Sequence, residues 1–351
     1  MASWSLDVYD LNGAVRQAGM PFKSLRFGYV LNSPGALEAD FALTNTLVTK
    51  ANLKVAAREL RIFRNAVLVW GGYLWDARVE LRDRVSIRGE GYFSALRRRY
   101  GMTDLIYNDV AQEQIAWNLI NATQSEPSGT LTLTQGAHGG ASITRDRDYC
   151  AMDHDEIASA IEELTQLDDG IDYEITPSPD SSVNKSFKTY YPRKGTDLSG
   201  SVTLNQTNVR TLTYEENGSE INSRVLSIGQ DDCNPPEDDR TDATALSTYG
   251  LLQSVESVDS GQLRDVRAHG KEVIKHTATP HWTATATYLV GTSGATAWGA
   301  FVVGDRITMS SNRGPASGFG NWTQAMRVLQ LDYTLEANHE WCTVTADSVW
   351  P

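Results

Sequence analysis

Long apolar runs are missing from this sequence of 351 residues. No stretch approaches the ~20 apolar residues a membrane helix needs, so no membrane segment is expected. The N-terminus, MASWSLDVYDLNG, alternates polar and apolar residues and has no basic segment ahead of an apolar core. A signal peptide is therefore not expected, and synthesis in a cytosol is. Cysteine is scarce: Cys150, Cys233 and Cys342 are odd in number and far apart, which excludes a disulfide framework and metal-knuckle spacing. The six histidines (His138, His154, His269, His276, His281 and His339) form no H-x-H or H-x-x-x-H pair. G-x-S-x-G and H-E-x-x-H are absent, and no cysteine has the histidine context of a nucleophile. A glycosidase needs only two acids, and 44 are available, so that class leaves no motif to find and stays open.

What is present is ordinary globular material, 40% hydrophobic and 21% charged, long enough for two or three domains. The net charge of −13 is uneven. Residues 1–100 hold 15 Lys+Arg against 9 Asp+Glu, or +6, and residues 101–351 hold 16 against 35, or −19. A basic head invites a nucleic-acid reading, but an acidic whole repels phosphate, and no specific nucleic-acid binding is expected. Arg58, Arg61 and Arg64, interleaved with Glu59, read as the solvated face of a strand. The cluster Arg97-Arg98-Arg99 is sharper and suits an acidic surface on a neighbouring subunit.

Residues 1–100 read as short strands almost throughout, with a hairpin signal at Asn12-Gly13 and a turn at Arg64-Asn65-Ala66. This suggests a small barrel or sandwich. Residues 101–183 read as a small α/β unit. Asp109 is placed to cap a helix carrying Ile115 and Leu119. Thr130 to Thr134 reads as a strand, and Gly136 to Gly140 as a loop. Asp153 with Glu156 makes a capping-box pattern ahead of Ile157, Ala160, Ile161 and Leu164. A strand through Ile171, Tyr173 and Ile175 follows. Residues 184–351 return to β, with an exposed acidic loop at 231–242, a helix at about 260–276 and a glycine-rich loop at 310–320. The fold class is β-rich α+β, with two small β-barrel domains joined by a small α/β unit, and the two β-rich ends could be related.

Several clusters have a bland reading beside the sharp one. Gly89-Glu90-Gly91 lacks the third glycine of a phosphate loop and is read as a strand-to-helix turn. The acids at Asp153–Glu156 suit a helix start better than a metal, and no cofactor or metal is expected. Trp282, Trp298, Trp322, Trp341 and Trp350 are either sugar platforms or core. Phe319 and Trp322 sit in or beside the glycine-rich loop, either as a docking arm or as part of an ordinary hairpin.

LRIFRNAVLVWGGYLWDARV with VSIRGEGYFSALRRRY, then DHDEIASAIEELTQLDDGIDYEI, then SGQLRDVRAHGKEVI with VVGDRITM, resemble in their order the baseplate-hub or tail-associated minor tail proteins of siphophages, particularly those infecting actinobacteria. The resemblance covers about residues 1 to 345. It implies two β-barrels joined by small α/β elements and three copies in a pseudo-sixfold ring beneath a sixfold tail tube. The implied location is the distal tail tip of a virion. The implied partners are distal tail or tail-tube proteins, the tape-measure protein, and tip or fibre proteins. DNA would pass through a lumen lined by the acidic part of the chain, and no catalytic residue is implied. Many longer relatives append a peptidoglycan-cleaving or fibre domain, which is not expected after Trp350-Pro351. The alternative from another class is a tail-borne carbohydrate-binding or carbohydrate-hydrolysing protein. A third reading, the neighbouring sixfold distal tail ring, would need one barrel followed by a sandwich.

Overall fold

A computed structural model describes residues 2–348 apart from 81–82, 140–142, 179–182, 231–234, 259, 292, 315–319 and 337–338. Strands form where the alternation is tightest. β1 (Trp4–Asp10) buries Leu6 and Val8 and turns at Asn12-Gly13 into β2 (Val15–Gln17). The chain continues through β3 (Phe22–Val30), β4 (Ala36–Ala42), β5 (Arg58–Arg64), β6 (Val67–Glu80) and β7 (Arg84–Gly91). Between β5 and β6, Asn65 and Ala66 take φ of 49° and 61°, the left-handed pair whose twist matches that of flanking strands. Gly89-Glu90-Gly91 ends β7 and leads directly into a 3-10 turn, Tyr92–Arg98.

The middle of the chain holds β8 (Leu105–Ala111), α1 (Gln112–Gln124), β9 (Leu133–Gly139), β10 (Thr144–Tyr149), α2 (Ile157–Thr165), β11 (Asp172–Pro177) and β12 (Lys185–Tyr190). β8 pairs with β10, and β11-β12-β9 form a second small sheet. Ile115, Leu119, Ile157, Ile161, Leu164 and Phe187 pack with Phe93 and Leu96 into a core of their own.

Three local expectations are corrected here. Asp109 lies inside β8 and does not cap α1, which begins after Ala111 with no side-chain cap. The capping box at Asp153 and Glu156 is not formed. The first amide of α2, Ile157 N–H, donates instead to the Arg99 carbonyl at 2.9 Å, so a tertiary acceptor replaces the side chain. The glycine stretch from 136 belongs to β9, running parallel to β12. A Cβ at Gly136 would come within 2.4 Å of Ser186 Oγ, so glycine serves close approach and not a loop.

The last part comprises β13 (Thr203–Asn205), β14 (Thr211–Asn217), β15 (Arg224–Ile228), β16 (Glu237–Thr241), α3 (Ala243–Tyr249), β17 (Gln253–Ser257), α4 (Leu263–Thr277), β18 (His281–Leu289), β19 (Arg306–Asn312), β20 (Asn321–Glu336) and β21 (His339–Asp347). The expected helix is α4, but it is not a lone insertion. It packs on the sheet β16-β15-β17. The described end of the acidic loop is the strand β16, paired antiparallel with β15, and Arg224 Nε donates to Asp239 at 2.8 Å across that pair. Asp242 then caps α3 by accepting from Ala245 N–H at 2.8 Å.

The two β-rich ends share one 13-stranded sheet, ordered β14-β18-β21-β20-β3-β4-β7-β6-β5-β1-β2, with β19 beside β20 and β13 beside β19. A five-strand unit occurs twice within it. β3-β4-β7-β6-β5 and β14-β18-β21-β20-β19 have the same order and the same antiparallel pairings. Where it pairs with the last strand of its unit, each long strand carries an irregularity, between Leu74 and Asp76 in β6 and between Val328 and Gln330 in β20. Just before it, Ala56 N–H donates to Leu74 O and Gly304 N–H to Val328 O, both at 2.8 Å. Ala56 and Gly304 both have positive φ. Aligning the irregularities places Arg78 on Asp332 and Val79 on Tyr333. Stepping across the neighbouring strands places Phe27 on Tyr214 and Gly28 on Glu215.

The units meet where β20 pairs with β3 over Gln330↔Val30 to Leu335↔Leu25. Phe27, fully buried, stacks on Tyr333 with ring centroids 5.4 Å apart. One core runs beneath both units, from Leu6, Leu25 and Ile62 to Ile307, Val328 and Val344. Phe27→Ala is therefore expected to cost about 3–5 kcal/mol. Chemical denaturation followed by near-UV CD should show both ends lost in one transition, and two separated transitions would contradict the shared core.

Candidate assembly surface and the buried joint behind it

Asp172, at the start of β11, is 0% exposed and gathers partners from three parts of the chain. Asn32, in the β3–β4 connection, donates Nδ2 to Asp172 Oδ1 at 2.7 Å, and its own Oδ1 accepts from Tyr173 N–H at 3.0 Å. Tyr173 O–H returns to Asn32 O at 2.6 Å. Lys194 N–H reaches Asp172 Oδ2 at 2.6 Å, and the Arg327 guanidinium of β20 donates to the same oxygen. Arg193 stands 4.0 Å from Oδ1 and continues to Glu272 of α4 at 2.9 Å and to the Thr165 carbonyl of α2 at 3.2 Å. Burial draws the Arg327 pKa down, with Asp172 opposing.

A second joint lies on β5. Glu59, also 0% exposed, accepts from Arg61 Nε at 2.7 Å and from the Tyr92 hydroxyl, and Lys185 Nζ of β12 is 3.2 Å from its other oxygen. Arg61 also lies over the Tyr9 ring at 4.3 Å. The expectation that Arg58, Arg61 and Arg64 form a solvated face is corrected: Arg61 is fully buried. The middle unit covers β5 from the side that alternation assigns to water. Burial lowers the Lys185 pKa against the pull of Glu59, and raises that of Tyr92.

The arginine cluster is on the surface at the end of the 3-10 turn. Arg97 is paired with Glu162 at 3.3 Å, Arg98 lies over the Trp75 ring at 4.3 Å, and the Arg99 carbonyl holds α2. Trp322 is not brought together with it. It is buried in β20, stacked on Tyr214 at 4.6 Å and near Trp282 at 6.1 Å. Phe319 and Trp350 lie outside the described residues. Trp298 packs on Trp4 and Tyr333, at 5.4 and 4.4 Å, and Trp341 lies under Arg210 at 4.9 Å. No described tryptophan in the last 70 residues is exposed as a platform. Among the described residues no group of three or more His, Cys, Asp or Glu is placed to hold a metal ion, and no helix is long and apolar enough to cross a membrane. Cys150 is exposed and Cys342 buried, and burial pushes the Cys342 thiol up to about 12. Cys233 lies outside the described residues.

Sequence reasoning missed Asp172, Glu59 and Lys185. Alternation gave no signal for them: Ile171 and Tyr173 share one face of β11 and leave Asp172 to the other, and Lys185 stands between Asn184 and Ser186.

No family model matches the chain, and no curated protein matches it in sequence. Its fold is shared with solved tail proteins. A tail protein from Neisseria meningitidis MC58 superposes with a TM-score of 0.64 at 10% identity, covering 98% of this chain and 96% of that one. The 43 kDa tail protein of prophage MuSo2 from Shewanella oneidensis gives 0.64 and 10%, covering 98% of each chain. An Escherichia coli component of the type VI secretion system, described as structurally similar to bacteriophage T4 tail proteins gp27 and gp5, gives 0.51 and 11%, covering 98% of this chain and 77% of that one. The chain thus has a fold shared with solved phage tail proteins and with a type VI secretion-system component of similar structure to T4 gp27 and gp5.

Two outcomes follow from the joint. Asp172→Ala strands Arg327 in a buried position and should cost about 3–5 kcal/mol, read by urea unfolding, and Asp172→Ala with Arg327→Met should recover part of the loss. Burial alone would raise the pKa of Glu272, but His276, Arg193 and Lys275 together hold it below its ordinary value. A depressed carboxylate stabilises the fold above its unfolded pKa, and that stability is lost as pH falls through about 4.3 and below. Glu272→Gln should flatten this acid limb in melts recorded from pH 6 to 3, and an unchanged limb would remove Glu272 from the account.

Proposed function

We propose that this protein is a structural component of a virion, the hub ring at the distal end of a long non-contractile phage tail. Each five-strand unit serves as one barrel-like domain of the ring. The domains fall at 1–100 and 184–351, with 101–183 as the α/β unit between them. The observation that carries the reading is the duplicated unit, since two equivalent units per chain and three chains give six near-equivalent positions, the symmetry of a tail tube. The fold held in common with tail proteins supports the same assignment. In this role the ring closes the tube, meets distal tail or tube proteins on one face and the tape-measure protein at the lumen, and carries tip or fibre proteins below. Arg97, Arg98 and Arg99 are assigned to a contact with an acidic neighbouring surface, and Phe319 to a partner contact, while Trp322 anchors the start of β20 from within the core. The protein acts by assembly and not by catalysis.

The test is mass by light scattering over a wide concentration range, with negative-stain images of the largest species. The expected species is three times the 38.6 kDa protomer, a ring with a central opening. A protomer mass at every concentration, with no ring in the images, would reject the reading.

A further inference from the structure

In each unit the long strand has a second half beyond its irregularity, and in one unit only is that half covered on both sides. Residues 330–335 of β20 have β21 on one side and β3 of the other unit on the other. The equivalent stretch of β6, Asp76–Glu80, has β7 on one side and, among the described residues, no strand on the other. The equivalent of β3 is β14, which ends the sheet and, among the described residues, pairs only with β18. One inter-unit junction is thus made within the chain, and both halves of its counterpart are left open at opposite places in the sheet.

We infer that the open edge of β6 takes β14 of a second copy of this chain, repeating the β20–β3 junction between protomers. This rests on the ring reading above and names its contact. The register is fixed by the internal copy. Val30↔Gln330 becomes Asn217 of one protomer against Asp76 of the next, Gly28↔Asp332 becomes Glu215 against Arg78, and Phe27↔Tyr333 becomes Tyr214 against Val79. The side chains agree with that register. Arg78, with its side chain 75% exposed, meets an exposed carboxylate, and opposite charges across a strand pair are favourable. Val79, 51% exposed where its counterpart Tyr333 is buried, meets the ring of Tyr214 and extends the Tyr214–Trp322–Trp282 stack. A slip of one residue sets either Val79 against Glu215 with Arg78 against Glu216, or Arg78 against Tyr214 with Val79 against Thr213, and in both the match of Val79 with the Tyr214 ring is lost. Edges that carry charge normally resist pairing, and here the register is selected by Arg78–Glu215 and Val79–Tyr214 together. Because the two edges differ, the contact is head-to-tail and every copy offers one of each, as a closed ring needs.

The experiment uses the full chain in a Cys150→Ser, Cys233→Ser background. Arg78→Cys protein mixed with Glu215→Cys protein and mildly oxidised should give a disulfide-linked dimer that neither gives alone. Arg78→Cys mixed with Thr213→Cys, two residues out of register, should give far less. Separately, Arg78→Glu should raise the concentration for half-assembly about tenfold, and adding Glu215→Arg should restore it, with far-UV CD unchanged throughout. A wild type that assembles while the matched pair fails to link and the charge swap has no effect would overturn the edge pairing and leave the ring standing. A wild type that stays a protomer throughout and yields no link would overturn the ring reading and this contact with it.

Discussion

A carboxylate without access to water has to be matched by charge and hydrogen bonds in place, and Asp172 draws its match from Asn32, Lys194 and Arg327, far apart in sequence. Leaving any of these unpaired costs more than the pair gains. The joint therefore acts less as a source of net stability than as a condition on geometry. β20 can meet β3 only if Arg327 arrives at Asp172, and Asn32 can close the β3–β4 connection only if β11 is already alongside. The aromatic stacking of Phe27 on Tyr333 and the continuous core then supply the larger part of the stabilisation.

The duplicated unit makes the chemistry of the two joints comparable. Glu59 and Arg306 hold equivalent places, as do Tyr73 and Arg327. The first unit offers the middle of the chain an anion, Glu59, which meets Lys185. The second offers a cation, Arg327, which meets Asp172. Had both units carried the same sign, the middle unit could have docked on either. Exchanging the units would bring Lys185 against Arg306, a like charge, and Asp172 against Tyr73, which cannot answer its charge.

Much of the fold was legible because period-two alternation survives wherever one face meets the core. β1, β3, β4, β11, β12 and α4 all sit on stretches whose pattern announces them, and Asn65-Ala66 and Asn12-Gly13 mark their turns. Legibility failed where a neighbour distant in sequence supplied what a local residue was expected to supply. The Arg99 carbonyl replaced the capping box of α2, and the parallel ladder to β12 held a glycine-rich stretch extended as β9. It failed most at the joints, since alternation assigns Glu59, Arg61 and Asp172 to water, and only a second layer on that face buries them.

The same physics accounts for a fold held at about 10% identity with the solved tail proteins. This chain builds it from alternation in the strands, an irregularity where each long strand pairs with β7 or β21, a positive-φ residue ahead of it, and a buried charge pair at each joint. Many sequences meet those conditions, since Ala56 and Gly304 serve the same turn and Phe27 and Tyr214 the same position. None of the conditions is a contiguous motif, and none needs a reactive group. Where one sheet edge meets another, as β20 meets β3, the signature lies in register, where a one-residue shift changes every contact.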